Sequence, residues 1–157
     1  MHKSPKIRLA KPEEASDLSA LAFRSKAYWG YDDAFMAACI NELTVSPEAV
    51  RRNPTYVIEA DDRVLGFYML SPSEDGNVEL DYLFVEPDAI GHGYGKKLME
   101  HAKGVAAARS YGSMIIQSDP NAVQFYRRAG GELIGHRPST SIPGSLLPVV
   151  RIDLTVS

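Results

Sequence analysis

At 157 residues the chain has room for one domain, and 45% hydrophobic with 24% charged residues is the balance of a soluble globular protein with a full core. A net charge of −3, with 17 basic residues scattered rather than striped, leaves no electrostatic footprint for nucleic acid. One cysteine excludes an internal disulfide framework, no residue set has zinc-ligand spacing, and neither the opening MHKSPKIRLA nor any 18-residue apolar stretch points to export or a membrane, so the cytoplasm is the expected compartment.

The elements follow an α/β order without repeats, low-complexity tracts or linkers. Ile7 to Leu9 reads as a short strand, and Pro12 opens a helix with Leu18, Leu21 and Ala22 on one face. A second helical segment starts at Asp32 or Asp33 and is expected to bury Phe35, Met36, Cys39, Ile40 and Leu43, which makes Cys39 a core thiol rather than a nucleophile. A helical turn begins at Ser46 with Pro47 in its first position. Three strands follow, Thr55 to Ala60, Val64 to Leu70 and Val78 to Val85, joined by polar turns as an antiparallel meander. A helix with Leu98, Ala102 and Val105 inward leads to a strand at Met114 to Gln117, a further helix, and final strands near Glu132 to His136 and Val149 to Thr155. Between those last two, residues 141–148 (SIPGSLLP) read as a turn-rich hairpin loop, a candidate gate for a site or contact in a homodimer.

The most informative stretch is VELDYLFVEPDAIGHGYGKKL, Val78 to Leu98, where a strand runs through Pro87 into Gly91, Gly93 and Gly95 and then a helix. Glycine at alternate positions lets backbone approach a bulky anion, and a helix N-terminus aims unpaired N–H groups at it, so the expected ligand group is a phosphate. Neither the dinucleotide fingerprint nor the Walker A loop fits the spacing. Residues 115–130, IIQSDPNAVQFYRRAG, add a buried strand (Ile115, Ile116), a turn at Asp119 and Pro120, and a helix with Asn121, Phe125 and Tyr126 stopped by Gly130 and Gly131. The two blocks lie about thirty positions apart, the length of one helix and one strand of a crossover.

Together they resemble the GNAT superfamily of N-acetyltransferases over most of residues 6–135. Ile90 to Gly95 is similar to that family's pyrophosphate loop, [QR]-x-x-G-x-[GA], with Ile90 in place of Gln or Arg, a change that spares the backbone N–H groups on which the loop mainly relies. Asn121 to Gly130 resembles N-A-x-x-F-Y-x-x-x-G, with Gly131 where an aromatic usually follows. The resemblance implies an α/β (α+β) fold with a GNAT-type mixed, mostly antiparallel central sheet, splayed at the cofactor site and flanked by helices. It implies acetyl-CoA as cosubstrate and no metal. Ile90, Gly91, His92, Gly93, Tyr94, Gly95 and Lys96 would surround the pyrophosphate, Asn121 and Phe125 would contact the cofactor, and main-chain groups of Leu83, Phe84 and Val85 would pair with the pantetheine arm and hold the carbonyl as it becomes an oxyanion.

Transfer to an amine needs a base, because an alkylammonium of pKa about 10 has no free lone pair at neutral pH. Glu79 matches the position where several family members place a catalytic glutamate. Asp81, two residues on, is expected on the same strand face. Paired carboxylates suit a base, an ammonium clamp or a solvated strand edge, and water is a further route for the proton. Tyr126 matches the tyrosine that family members use as general acid toward the coenzyme A thiolate. Its alternative is a packing role beside Phe125. In RSKAYWGYDDAF, residues 24–35, Tyr28, Trp29 and Tyr31 cluster around Gly30 where this fold covers the acceptor side, and are expected to wall the acceptor pocket. Lys97, like Lys96, reads either as a helper for the phosphate charge or as an ordinary first-turn lysine, and His136 and Arg137 as surface groups or acceptor contacts. The reading is an N-acetyltransferase moving an acetyl group from acetyl-CoA to a primary amine, of a small molecule, by direct attack through a tetrahedral intermediate. A silent acyl-CoA sensor and a protein N-terminal or lysine acetyltransferase are the alternatives.

Overall fold

The computed structural model describes residues 4–155; the first three residues of the N-terminal stretch read above lie outside the described residues. In chain order the elements are β1 (Lys6–Leu9), a 3-10 turn (Pro12–Glu14), α1 (Ala15–Ala27), α2 (Asp33–Ala38), α3 (Ile40–Leu43), α4 (Pro47–Arg52), β2 (Thr55–Ala60), β3 (Arg63–Pro72) and β4 (Val78–Val85). A 3-10 turn (Pro87–Ala89), α5 (Tyr94–Ala108), β5 (Ser113–Gln117), a 3-10 turn (Pro120–Ala122), α6 (Val123–Arg128), β6 (Gly131–Pro138) and β7 (Leu146–Asp153) complete the chain. The strands form one mixed sheet in the order β1-β2-β3-β4-β5-β7-β6, in which only the β4–β5 pair is parallel.

The apolar patterns explain the two layers. On one face Leu98, Met99, Ala102 and Ala106 of α5 pack on Tyr68, Leu70, Leu80 and Ile116; on the other Leu18, Leu21 and Ala22 of α1, with Met36, Cys39 and Leu43, cover Val57, Phe67 and Met69. Strand β3 is covered on both sides, which is why it reads as a nearly continuous apolar run rather than an alternating one. Helix starts are fixed by side-chain caps: Asp32 accepts from the Phe35 N–H at 2.8 Å and Ser46 from the Ala49 N–H at 3.0 Å.

Three expectations change. The second helical segment breaks at Cys39, whose ψ of −3° separates α2 from α3; Cys39 stays buried, but the altered phase turns Ile40 to solvent, 49% exposed. Burial pushes the Cys39 thiol up to about 11, so it is an inert core group. The 141–148 loop is shorter than expected because Leu146, Leu147 and Pro148 already pair with Pro138, Arg137 and His136 in the last hairpin. The final strand stops at Asp153, whose carboxylate instead accepts from the N–H and hydroxyl of Thr155.

Gly131 has a packing reason that the sequence alone does not supply. A Cβ there would collide with Val150 Cγ1 and come within 2.7 Å of the Tyr126 carbonyl oxygen, so the absent side chain lets β6 press against both β7 and the end of α6. Gly131→Ala should therefore destabilise the fold by roughly 1–3 kcal/mol through overpacking. Urea unfolding measures this, and a midpoint equal to wild type would show that β6 can move aside without cost.

Candidate functional site

The site begins where the sheet opens. Strands β4 and β5 pair only at Val78 with Met114 and Glu79 with Ile115, so beyond these residues the strands diverge. Backbone edges that a continuous sheet would satisfy are left facing a cavity of about 610 Å³, lined on the β4 side by Leu80, Leu83, Phe84 and Val85 and on the other by Ile116, Gln117, Ser118 and Tyr126.

At one end of this opening lies the glycine loop. Gly91 and Gly93 hold φ of +93° and +81°, conformations that L side chains rarely adopt, and Gly93 caps α5 in the left-handed region. The amides of Gly91 to Lys96 find no acceptor among the described residues; Lys97 is the first to find one, donating to the Gly93 carbonyl at 3.1 Å. Six unpaired N–H groups at the start of a fifteen-residue helix make an anion cradle built from backbone, which fits the pyrophosphate of coenzyme A. Ile90, Gly91, Gly93, Tyr94, Gly95 and Lys96 border the cavity, whereas His92 does not and lies beside the Tyr94 ring. Gly95 sits beneath Phe125: a Cβ there would stand 3.3 Å from Phe125 Cε1.

The second motif closes the back of the cleft. Asn121 lies in the 3-10 turn and Tyr126 on α6, where its ring meets that of Phe125 edge-on at 5.2 Å. Tyr126 is only 7% exposed, borders the cavity, and its hydroxyl has no hydrogen-bond partner among the described residues. Burial, with a contribution from the Asp119 charge, holds its phenol well above the usual range, so it is a neutral donor at all working pH values.

The two carboxylates of β4 differ in their surroundings. The register of β3 against β4 slips by one between Met69 and Leu70, leaving Asp81 as an extra residue, a β-bulge. The bulge breaks the expected alternation: Val78 and Leu80 face the α5 layer, whereas Tyr82 and Phe84 face α1. Glu79 and Asp81 nevertheless both border the cavity. Glu79 accepts a 2.9 Å ion-paired hydrogen bond from Arg137 Nη1 on β6. Among the described residues Asp81 meets no cation: although open to solvent at the mouth, it is hemmed in by protein, and this desolvation, helped by the Glu79 charge and opposed by a Ser71 hydrogen bond, raises its carboxyl above the usual range.

Helix α1 spans the mouth. Arg24 makes a bidentate pair with Glu86 (3.0 and 2.6 Å), just before the glycine loop, and Lys26 pairs with Asp119 at 2.9 Å. Tyr28 and Trp29, 57% and 49% exposed, border the cavity. Tyr31 does not. Its hydroxyl donates to Asp119 at 2.8 Å and accepts from Asn121 Nδ2 at 3.0 Å, so it ties the second motif to the α1–α2 connection, and it does not border the cavity. Glu42 of α3 also borders the cavity and went unnoticed in the sequence, where it reads as an ordinary helix-surface acid. Among the described residues no cluster could hold a metal ion, and no helix is long and apolar enough to cross a membrane.

Residues 51–130 match the family described as an acetyltransferase (GNAT) domain. The chain is 31% identical over 133 residues to the peptidyl-lysine N-acetyltransferase YjaB of Escherichia coli, covering 82% of this chain and 83% of that protein. It is 28% identical over 131 residues to the 5-NmdU N-acetyltransferase of Pseudomonas phage PaMx11, covering 82% and 88% respectively. The crystal structure of PaiA N-acetyltransferase from Thermoplasma acidophilum, in complex with coenzyme A, superposes with a TM-score of 0.78 at 18% identity, over 96% of this chain and 99% of that one.

Gly93→Val tests the cradle, because a β-branched residue is strained at φ of +81° and would reset the amides behind it. Calorimetric affinity for acetyl-CoA is expected to fall at least tenfold while the protein stays folded, and unchanged affinity would remove the loop from the site.

Proposed function

Because the chain belongs to the GNAT family of acetyltransferases, we propose that it transfers the acetyl group of acetyl-CoA to the primary amine of a small molecule at the mouth of the β4–β5 opening. The enzyme is acyl-CoA-dependent, with acetyl-CoA as cosubstrate, and not the silent sensor that the motifs alone left open. The observation that carries the acceptor side is the pairing of Asp81, a carboxylate with no cation beside it, with the unpartnered Tyr126 hydroxyl, both bordering one cavity.

On this reading the thioester lies along β4, its pyrophosphate on the Gly91–Lys96 amides. The ammonium of the acceptor gives its proton to Asp81, and the freed nitrogen attacks the acetyl carbonyl. A main-chain N–H of the Leu83 to Val85 edge donates a hydrogen bond to the carbonyl oxygen as it becomes an oxyanion. The C–N bond forms, the C–S bond breaks, the Tyr126 phenol passes its proton to the departing sulfur, and the second proton that the nitrogen sheds on becoming an amide returns to the phenolate through solvent. Glu79, neutralised by Arg137, is then a positioning group rather than the base.

A second reading keeps the chemistry and changes the acceptor to a protein lysine, which the name of the E. coli relative favours. Thiol release from acetyl-CoA against amino acids, polyamines, aminoglycosides and lysine peptides separates the two. Turnover confined to peptides would replace the small-molecule proposal.

Two sets of variants test the roles. Tyr126→Phe loses only the hydroxyl, and kcat should drop about 10- to 10³-fold with acetyl-CoA affinity nearly intact; turnover equal to wild type would make Tyr126 a packing residue. For the base, activity must fall as pH drops through the raised pKa of Asp81, because only the carboxylate accepts a proton. Asp81→Asn should abolish that acid limb and recover activity as rising pH deprotonates the amine in solution, whereas Glu79→Gln should raise KM and keep the limb. A limb surviving in Asp81→Asn and lost in Glu79→Gln would reverse the assignment.

A further inference from the structure

The second motif is anchored by an ion pair that neither motif contains. Lys26 Nζ lies 2.9 Å from Asp119 Oδ2, and the two side chains are only 13% and 14% exposed. Asp119 also accepts from the Tyr31 hydroxyl at 2.8 Å and from the Asn121 N–H at 2.8 Å, and so caps the turn that leads into α6. The Lys26 ammonium sits 5.3 Å from the centre of the Tyr31 ring, which in turn stacks on Phe35 at 4.1 Å. Lys26, Asp119 and Tyr126 all border the one cavity. Desolvation works to raise the Asp119 carboxyl, but the Lys26, Asn121 and Tyr31 hydrogen bonds outweigh it, and Asp119 stays an anion.

An anion there is useful and harmful at once. It holds the turn that carries Asn121 and aims α6, yet it stands near Tyr126, where negative charge appears as the C–S bond breaks. In a partly buried site a like charge is weakly screened and opposes that step. We infer that Lys26 is a positioning and charge-balancing residue for the leaving group: it locks Asp119 in place and cancels its charge, so that negative charge can build on the sulfur until Tyr126 protonates it.

This rests on the acetyl-transfer reading, and in particular on Tyr126 facing the sulfur. It separates from a structural ion pair by a sign. If the pair only holds the fold, breaking it costs stability and leaves the thiol midpoint of the folded protein where it was. If Lys26 cancels a harmful charge, the midpoint itself rises without Lys26 and falls back when Asp119 is removed as well.

The test follows the thiol of bound coenzyme A by the ultraviolet absorbance of its thiolate during a pH titration, with kcat measured in parallel using acetyl-CoA and an Nα-acetylated lysine peptide or cadaverine as acceptor probes. Lys26→Met should raise the thiolate midpoint by about one pH unit, a tenfold change, and lower kcat about tenfold. Lys26→Arg, which keeps the charge, should leave the midpoint low. Lys26→Met/Asp119→Asn should bring the midpoint back and raise kcat at least fivefold above the single variant. A double variant no better than Lys26→Met, or a midpoint that ignores Lys26, overturns the inference. If Lys26→Met fails to fold by circular dichroism, Asp119→Asn is titrated instead: its uncancelled cation must lower the midpoint, and a rise overturns the inference. Loss of all coenzyme A binding by wild-type protein in calorimetry would instead strike the acetyl-transfer reading. A wild-type thiol titration indifferent to Tyr126→Phe would strike the placement of the sulfur alone.

Discussion

Everything in this molecule is arranged around the early parting of β4 and β5. Two parallel strands that share only two residue pairs leave backbone donors and acceptors inside the protein with nothing to bond, and such groups are costly unless a partner or solvent reaches them. The opening is therefore a place in the interior of the sheet where an extended molecule can add itself as a strand would. The other features serve that slot: unpaired amides at its phosphate end, the buried Tyr126 behind it, α1 laid over its mouth, and the Asp81 bulge where the two strands separate.

What the sequence made legible was what is local. Alternate glycines before a helix, and Asn121, Phe125 and Tyr126 after a strand, work through residues close together in the chain, so the glycine loop and the succession of strands and helices could be read directly, while the mixed sheet followed from the family resemblance that these residues carry. The caps at Asp32 and Ser46 are equally local. Properties that depend on register were not readable. Asp81 departs from the alternation of its strand because of a slip against β3, and no count along β4 alone reveals that. Ile40 kept its place in a helical pattern until Cys39 broke the helix. Tyr31 looked like a pocket aromatic by composition, but its hydroxyl was committed to Asp119, far away in sequence. Gly131 seemed a departure from the pattern and is a tight contact.

The division of labour between the carboxylates has the same origin. Two acids on one short stretch of strand would compete for a proton if their surroundings were equal. They are not: β6 delivers Arg137 to Glu79, while β3 offers Asp81 only the Ser71 hydroxyl. Arg137 holds Glu79 in an ion pair, while desolvation raises the Asp81 carboxyl above the usual range, which on the proposed reading suits Asp81 to exchange a proton.

The Lys26–Asp119 pair joins residues 93 positions apart. Closing a loop of that length costs entropy that is recovered only when the contact finally forms, so such contacts come late as a chain folds. The glycine loop draws on the neighbouring β4 and α5, whereas the segment around Tyr31 finds its partner only on the β5–α6 turn that receives Lys26 and Tyr31. One side of the opening therefore depends on short-range chain geometry and the other on contacts that reach across most of the sequence.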